Sequence, residues 1–177
     1  IYVDTGYSLV EQLTFIEAWF LSIGYSLQLY FDFSGYSDMA VGLGLMIGFS
    51  LPINFDTPFL ATSIINFWKK WHITMTRFFM MYIYSPIALS ISRRVIKKSL
   101  RISFFYCVII PILITFFLSG LWHGAHWKFI VFGLINAFGL IINYYWREKK
   151  LFTINKYLGW LITMFIVMVS FIFFRSQ

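Results

Sequence analysis

The chain has 177 residues, of which 60% are hydrophobic and only 12% are charged. A soluble domain is nearer one-quarter charged, and the mean hydropathy here is +0.77. This composition excludes an ordinary soluble enzyme and indicates an integral membrane protein. The net charge of +7 does not indicate nucleic-acid binding, because the basic residues form short clusters between apolar runs, as cytoplasmic loops do.

Six uncharged runs divide the chain, at residues 18–31, 39–55, 78–92, 102–127, 129–146 and 157–174. About 20 apolar residues cross a bilayer core as a helix, so the last three runs are candidate spans. The first three are shorter or are interrupted by Gly and Pro. We expect an all-α, polytopic membrane helix bundle. Residues 1–177 would form a single transmembrane domain, itself a fragment of a longer polytopic chain.

The N-terminal third predicts a broken helix. Residues 12–31 read as helical, and the sequence DFSGYSD at 32–38 is expected to interrupt them. Asp32 and Asp38 would then hold the break in shape through hydrogen bonds to serine, tyrosine and backbone groups. Residues 39–49 resume an apolar helix, in which Gly44 and Gly48 have a spacing that allows membrane helices to approach closely.

The stretch 64–79 alternates aromatic and basic residues, which is typical of a helix lying at the membrane interface. It contains Lys69, Lys70 and His72. His72 has two interpretations: an interfacial residue beside the lysines, or a residue that orients a substrate in a tunnel shared with another histidine. The lysines could attract phosphates of a donor molecule, although contact with lipid headgroups is their commoner use.

Two further histidines, His123 and His126, lie in an uncharged stretch from residue 102 to 127. An ionisable side chain at membrane depth indicates function, and imidazole is suited to proton transfer near neutral pH. If the basic clusters at 93–101 and 147–150 are both cytoplasmic, the chain crosses twice between them. LWHGAHW then lies deep in the membrane or towards its opposite face. His123 is a candidate base, with a structural histidine as the alternative, and His126 suits a helix end better than a metal.

No metal or cofactor pattern accompanies these histidines. The acidic residues are few and the single cysteine, Cys107, excludes an internal disulfide, so we predict no metal site and no tightly bound cofactor. The sequence also contains no P-loop and no nucleophile elbow.

Three segments together resemble the membrane-bound O-acyltransferases, in particular the bacterial alginate O-acetyltransferase branch: YFDFSGYSDMAVGLGLMIGF (30–49), NFDTPFLATSIINFWKKWHITMT (54–76) and LSGLWHGAHWKFIVFGL (118–134). The teichoic-acid D-alanylation protein is a near relative within that family. The resemblance implies a helix bundle with a central tunnel. It assigns the essential histidine to His123 and the second motif histidine to His72, and it gives no role to His126. The Arg-Asp pair that relatives often carry after the second motif is replaced here, within residues 77–82.

This resemblance implies transfer of an acetyl or similar acyl group, from acetyl-CoA or another acyl thioester, to hydroxyls of an exported cell-envelope polysaccharide such as alginate. His123 would be the base, and His72 would place the donor or polarise its carbonyl. We expect four further residues to bind substrate: Trp71, Trp122, Lys69 and Lys70. The expected partners are the donor, the polysaccharide, a periplasmic acetyltransferase and membrane lipid. The expected location is the bacterial cytoplasmic (inner) membrane, as a multi-pass protein.

Three alternatives remain open from the sequence. In a transporter or flippase the histidines would form a proton relay, and Asp32 would matter as much as His123. A non-catalytic scaffold that recruits a periplasmic transferase would depend on segment 64–79 instead. D-alanyl transfer to teichoic acid is the third.

Overall fold

The computed structural model describes residues 13–95 and 100–175, together with Val3, Gly6 and Tyr7, and this described part is helical without strands. By its internal contacts the chain divides into two compact units, residues 1–54 and 55–176. The prediction of an all-α membrane protein fragment is therefore confirmed. The central tunnel and the single transmembrane domain stay predictions.

The first unit is dominated by one long helix, α1 (Phe15–Met46). A capping box fixes its start: the Thr14 hydroxyl accepts a hydrogen bond from the Glu17 amide (3.4 Å), and the Glu17 carboxylate accepts one from the Thr14 amide (2.8 Å). At the other end Gly48 has a φ of +85°, which reverses the chain direction.

The predicted interruption of this helix at residues 32–38 is wrong, because α1 is continuous through the segment. A serine in a helix can bond back to a carbonyl of the preceding turn, as the Ser34 hydroxyl does to Phe31 (3.5 Å). Asp32 and Asp38 are exposed, and neither carboxylate makes a hydrogen bond to another described residue. They therefore do not hold a break in shape.

Gly44 and Gly48 do not form the predicted close contact between two helices, because Gly48 lies beyond the end of α1. A Cβ on Gly44 would lie 3.0 Å from both Leu51 Cγ and the Phe49 carbonyl oxygen. Gly44 therefore makes room for the returning chain of its own unit. The same return brings Asn54 to α1, where its side-chain amide donates to the buried Ser37 hydroxyl (3.1 Å).

The second unit begins with a 3₁₀ turn (Pro58–Leu60) and contains the remaining described helices, two of which continue through a π-helical turn. In chain order these are α2 (Ile64–Trp68), α3 (Ile73–Phe79), a π turn (Met80–Tyr84), α4 (Ser85–Val95), α5 (Leu100–Phe104), a π turn (Phe105–Ile109), α6 (Ile110–His123), α7 (Trp127–Glu148) and α8 (Lys156–Arg175).

Three helices of the described chain are long and apolar enough to cross a membrane: Ile102–His123, Trp127–Glu148 and Lys156–Arg175. They coincide with the last three uncharged runs, so the prediction of spans there is confirmed. The first two form a hairpin whose tip is residues 124–126. LWHGAHW therefore lies at the ends of two candidate spans.

Two glycines allow α6 and α7 to pack closely in the hairpin, because each glycine faces the backbone of the opposite helix. A Cβ on Gly120 would collide with the Phe129 carbonyl oxygen, and one on Gly133 would collide with the Phe116 carbonyl oxygen. Apolar burial draws helices together only weakly in lipid, so close backbone packing is a main source of helix association there.

Segment 64–79 does not form one continuous amphipathic helix, and its location at the membrane interface stays a prediction. It forms α2, a turn and α3, and its large apolar side chains are mostly buried in the second unit: Ile64, Ile65, Phe67, Trp68, Trp71, Ile73 and Phe79. Trp68 packs edge-on against Phe116 of α6, with ring centroids 5.2 Å apart, and lies 6.4 Å from Phe132 of α7. Aromatic residues occur in cores as well as at membrane interfaces. The alternation of aromatic residues with lysine therefore does not distinguish a buried segment from an interfacial one.

We expect Gly133→Val in the full-length protein that contains this chain to lower the free energy of unfolding by about 1–3 kcal/mol, because the added side chain must displace the α6 backbone. Thermal unfolding in detergent, followed by intrinsic fluorescence, measures the effect. Gly42→Val is the matched control, since a Cβ on Gly42 meets no described atom within 4 Å. Equal unfolding midpoints for the two variants would contradict the close approach.

Candidate functional site

His123 is the last residue of α6, at the point where the chain reverses. Gly124 follows with a φ of +150°, and its amide donates to the Leu121 carbonyl (3.1 Å). A Cβ on Gly124 would lie 2.7 Å from the Phe129 ring. Both the backbone conformation and the lack of space require glycine after His123. This glycine ends α6 directly after the histidine.

Aromatic rings surround the His123 imidazole on several sides. Ring centroids lie 4.8 Å away for Trp122, 5.7 Å for Phe132 and 5.0 Å for Phe174, all three edge-on, while the Phe129 ring is tilted at 6.2 Å. These rings come from α6, α7 and α8, and the imidazole is half-buried. Such an enclosure holds the imidazole in one orientation and limits its access to water.

His72 precedes α3 in a left-handed conformation, with φ of 42° and ψ of 57°. A non-glycine residue pays roughly 1–2 kcal/mol for that conformation, so the surrounding packing must hold it there. Trp71 and Ile73 on either side are buried, and the His72 carbonyl accepts the Thr76 amide (3.0 Å). Burial lowers the pKa of the His72 imidazole below its ordinary value of 6.5.

Trp122 contacts both histidines. Its ring centroid is 6.3 Å from that of His72 and 4.8 Å from that of His123. Trp122 is also 61% exposed, so its ring is open to a substrate as well as to the two imidazoles. The structure thus brings together three of the residues that the sequence singled out, from segments about 50 residues apart.

Of the other predicted binding residues, Lys69 lines the small apolar cavity described below, whereas Trp71 and Lys70 do not. Trp71 is part of the core, stacked on Phe67 with centroids 5.6 Å apart and an interplanar angle of 16°. Lys70 is held by the loop before α2, because its ammonium donates to the Thr57 hydroxyl (3.2 Å) and lies 3.8 Å from the Asp56 carboxylate. Lys69 is exposed. The substrate-binding roles of Trp71, Lys69 and Lys70 stay predictions.

An apolar cavity of about 100 Å³ is lined by neither histidine, but Thr76 and Ser119, each four positions along the chain from a histidine, are among its lining residues. Met75 and Thr76 line it from α3, Ser119 lines it from α6, and Trp68 closes one side. The Trp68 indole N–H is buried without a partner among the described residues. Because a cavity of this size accepts only a few heavy atoms, it suits a small group better than a long chain.

His126 immediately precedes α7, so the expectation that it occupies a helix end is confirmed, although its side chain does not cap the helix. It is exposed. Within the described ranges no group of three His, Cys, Asp or Glu side chains is placed to hold a metal ion.

Comparison with protein families identifies the scaffold on which these histidines lie. The model of the membrane-bound O-acyltransferase family matches residues 3–175. The chain belongs to this family.

Among curated relatives, a peptidoglycan O-acetyltransferase of Helicobacter pylori is 40% identical over 99% of the chain and 32% of its own length. A probable alginate O-acetylase of Azotobacter vinelandii is 38% identical over 91% of the chain and 30% of its own length. A teichoic acid D-alanyltransferase of Streptococcus thermophilus is 33% identical over 75% of the chain and 31% of its own length. The chain thus spans about a third of the length of these membrane-bound O-acyltransferases.

Sequence reasoning did not identify the phenylalanines around His123. Phe129 and Phe132 are three residues apart and therefore share a face of α7, a periodicity that could have indicated their contact with the hairpin tip. Phe174 lies 51 residues beyond His123 on α8, and nothing local in the sequence marks it. Only the packing of three helices shows that Phe174 contacts His123.

The lowered pKa of His72 predicts a pH-dependent stability. The unfolded chain binds a proton at this residue near pH 6.5, whereas the folded protein does so only at lower pH. The stabilisation from neutral His72 is therefore complete above pH 6.5 and is lost as pH falls through the folded-state pKa. We expect the unfolding midpoint to fall more between pH 7.5 and pH 5.5 in the wild type than in His72→Asn.

Asparagine tolerates the left-handed conformation at this position and does not titrate. His72→Asn therefore removes the titrating group and keeps the backbone conformation. Thermal unfolding of both full-length proteins at the two pH values gives the difference. An equal loss in wild type and His72→Asn would contradict a buried, neutral His72.

Proposed function

We propose that the full-length protein transfers an acetyl or similar acyl group from a thioester donor to hydroxyls of an exported cell-envelope polymer, with His123 as general base. The observation that carries this proposal is the convergence of His123, His72 and Trp122 on one site beside a small apolar cavity. Membership of the family supports the reaction class.

The reaction assigns a role to each imidazole. His123 accepts the proton of the acceptor hydroxyl while the oxygen attacks the carbonyl carbon of the thioester. The carbon–sulfur bond then breaks, and the thiolate takes up the proton from the His123 imidazolium as the ester is released. A neutral His72 has one N–H donor, which would polarise the thioester carbonyl or orient the donor. The cavity between α3 and α6 would receive the acyl group.

Acetyl is the group favoured by the relatives. The two O-acetylating relatives are 40% and 38% identical over at least 91% of the chain, whereas the D-alanyltransferase is 33% identical over 75% of it. A cavity of about 100 Å³ is also compatible with a two-carbon group. We therefore infer that the donor is acetyl-CoA or a similar acetyl thioester, and that the acceptor is a polysaccharide such as peptidoglycan or alginate.

The cellular setting follows from the same proposal. A cytoplasmic thioester and an exported polymer lie on opposite sides of the bacterial cytoplasmic membrane, so a multi-pass protein of that membrane would connect them. A periplasmic acetyltransferase could receive the acetyl group and complete the transfer. We propose that Lys69 and Lys70 attract the donor. The Lys70 ammonium also forms an ion pair with the Asp56 carboxylate.

We expect His123→Ala in the full-length protein to reduce polymer acetylation by 10²-fold or more, because general base catalysis typically contributes 10²–10⁴-fold. Acetate released by mild alkali from isolated envelope polymers, normalised to the amount of protein in the membrane, measures the loss. The polymer that loses acetate identifies the acceptor.

His126→Ala is the matched control. This second histidine of the same hairpin tip is exposed, and we expect its loss to leave acetylation within about twofold of wild type, since it contacts none of the proposed reacting groups. Unchanged acetate in His123→Ala at equal membrane abundance would overturn the assignment of His123 as the base.

A further inference from the structure

A larger cavity of the second unit lies where α7 ends and α8 begins, and neither His72 nor His123 lines it. Its volume is about 940 Å³. The loop between α7 and α8, the facing sides of those two helices and the start of α2 form its walls. We term it the basic cleft, after the four cationic side chains that line it: Lys69, Arg147, Lys150 and Lys156.

The charge of the basic cleft is uncompensated. None of its lining residues is acidic, and in the described part of the chain none of the four cations forms an ion pair. The N-terminus of α8 adds partial positive charge beside Asn155 and Lys156. Like charges gathered around one cavity repel each other, and an anion in the cavity would remove that repulsion.

The walls of the basic cleft are apolar below the charged rim. Ile142 of α7 and Ile162 and Ile166 of α8 line it, and all three belong to candidate membrane spans. Asn143, next to Ile142 in α7, also lines the cleft, and its side-chain oxygen is buried without a donor among the described residues. A ligand suited to this cleft therefore has a negative charge, a hydrogen-bond donor and an apolar portion.

The position of the cleft relative to the membrane favours a lipid. Arg147, Lys150 and Lys156 lie at or between the adjoining ends of two candidate spans, where a bilayer would place its headgroups. Trp146 and Phe152 close this end of the cleft, with ring centroids 4.5 Å apart and the indole N–H donating to the Phe152 carbonyl (2.9 Å). Tryptophan is enriched at that level in membrane proteins.

We propose that the basic cleft binds the phosphate of an anionic membrane phospholipid. Arg147, Lys150 and Lys156 contact the phosphate, Asn143 accepts a hydrogen bond from a headgroup hydroxyl, and one acyl chain lies along the isoleucine wall. A phosphate carried by a soluble thioester donor shares the charge but would leave that wall uncovered. Binding does not require the acyl-transfer reaction.

The test measures binding of dioctanoyl phosphatidylglycerol and dioctanoyl phosphatidylcholine to the detergent-purified full-length protein by calorimetry. The variant is Arg147→Gln with Lys156→Gln. The control is Arg94→Gln with Lys149→Gln, which removes two positive charges from exposed positions that do not line the cleft. We expect the wild type and the control to prefer phosphatidylglycerol, and the cleft variant to bind it at least about tenfold more weakly.

Equal affinity of the wild type for the two lipids, or an equal loss in the control, would overturn the proposal. A second titration with acetyl-CoA distinguishes the source of the phosphate. If the cleft variant loses affinity for acetyl-CoA and keeps its affinity for phosphatidylglycerol, the phosphate belongs to the donor and the lipid is excluded. His123→Ala should retain lipid binding, so failure of the acyl-transfer proposal is separable from failure of this one.

Discussion

The close approach of α6 to α7 determines where the candidate base can lie. Gly120 and Gly133 each face a backbone carbonyl of the opposite helix, so neither helix can rotate about its axis without driving a side chain into that contact. The last turn of α6 therefore faces the first turn of α7. His123 is held against Phe129 and Phe132, where a freely rotating helix would expose it to lipid. Contact between backbones, more than apolar burial, sustains this arrangement in a membrane.

The aromatic core of the second unit brings the remaining parts of the site to this hairpin. Trp71 contacts Phe171 of α8 with centroids 5.2 Å apart, and the Trp160 indole N–H donates to the Phe59 carbonyl (2.7 Å). These contacts tie α8 to the chain on both sides of α2. As a result α8 presents Phe174 to His123, and the strained turn before α3 presents His72 to Trp122.

The apolar runs and the histidines were readable from the sequence because each depends on local composition. Three of these runs form candidate membrane spans, and the two motif histidines both contact Trp122. Where the sequence-based expectations differ from the structure, they took polar or aromatic residues as marks of one local structure, although these residue types occur in several. DFSGYSD lies within one continuous helix although it contains serine, glycine and aspartate, and the aromatic residues of segment 64–79 fill a core. Phe174 depends on packing between distant segments, which composition does not encode.

The two ends of α7 carry different chemistry. Its first turn packs against His123, whereas Arg147, near its end, lines the basic cleft. Helix α7 contains 22 residues and is therefore about 33 Å long, roughly the thickness of a bilayer core. The ends are nevertheless connected, because Ser63, Asn66 and Lys69 line the same cleft and lead directly to His72. The cleft wall and the second imidazole therefore belong to one short segment, residues 63–72, whose buried side chains hold His72 in its strained conformation.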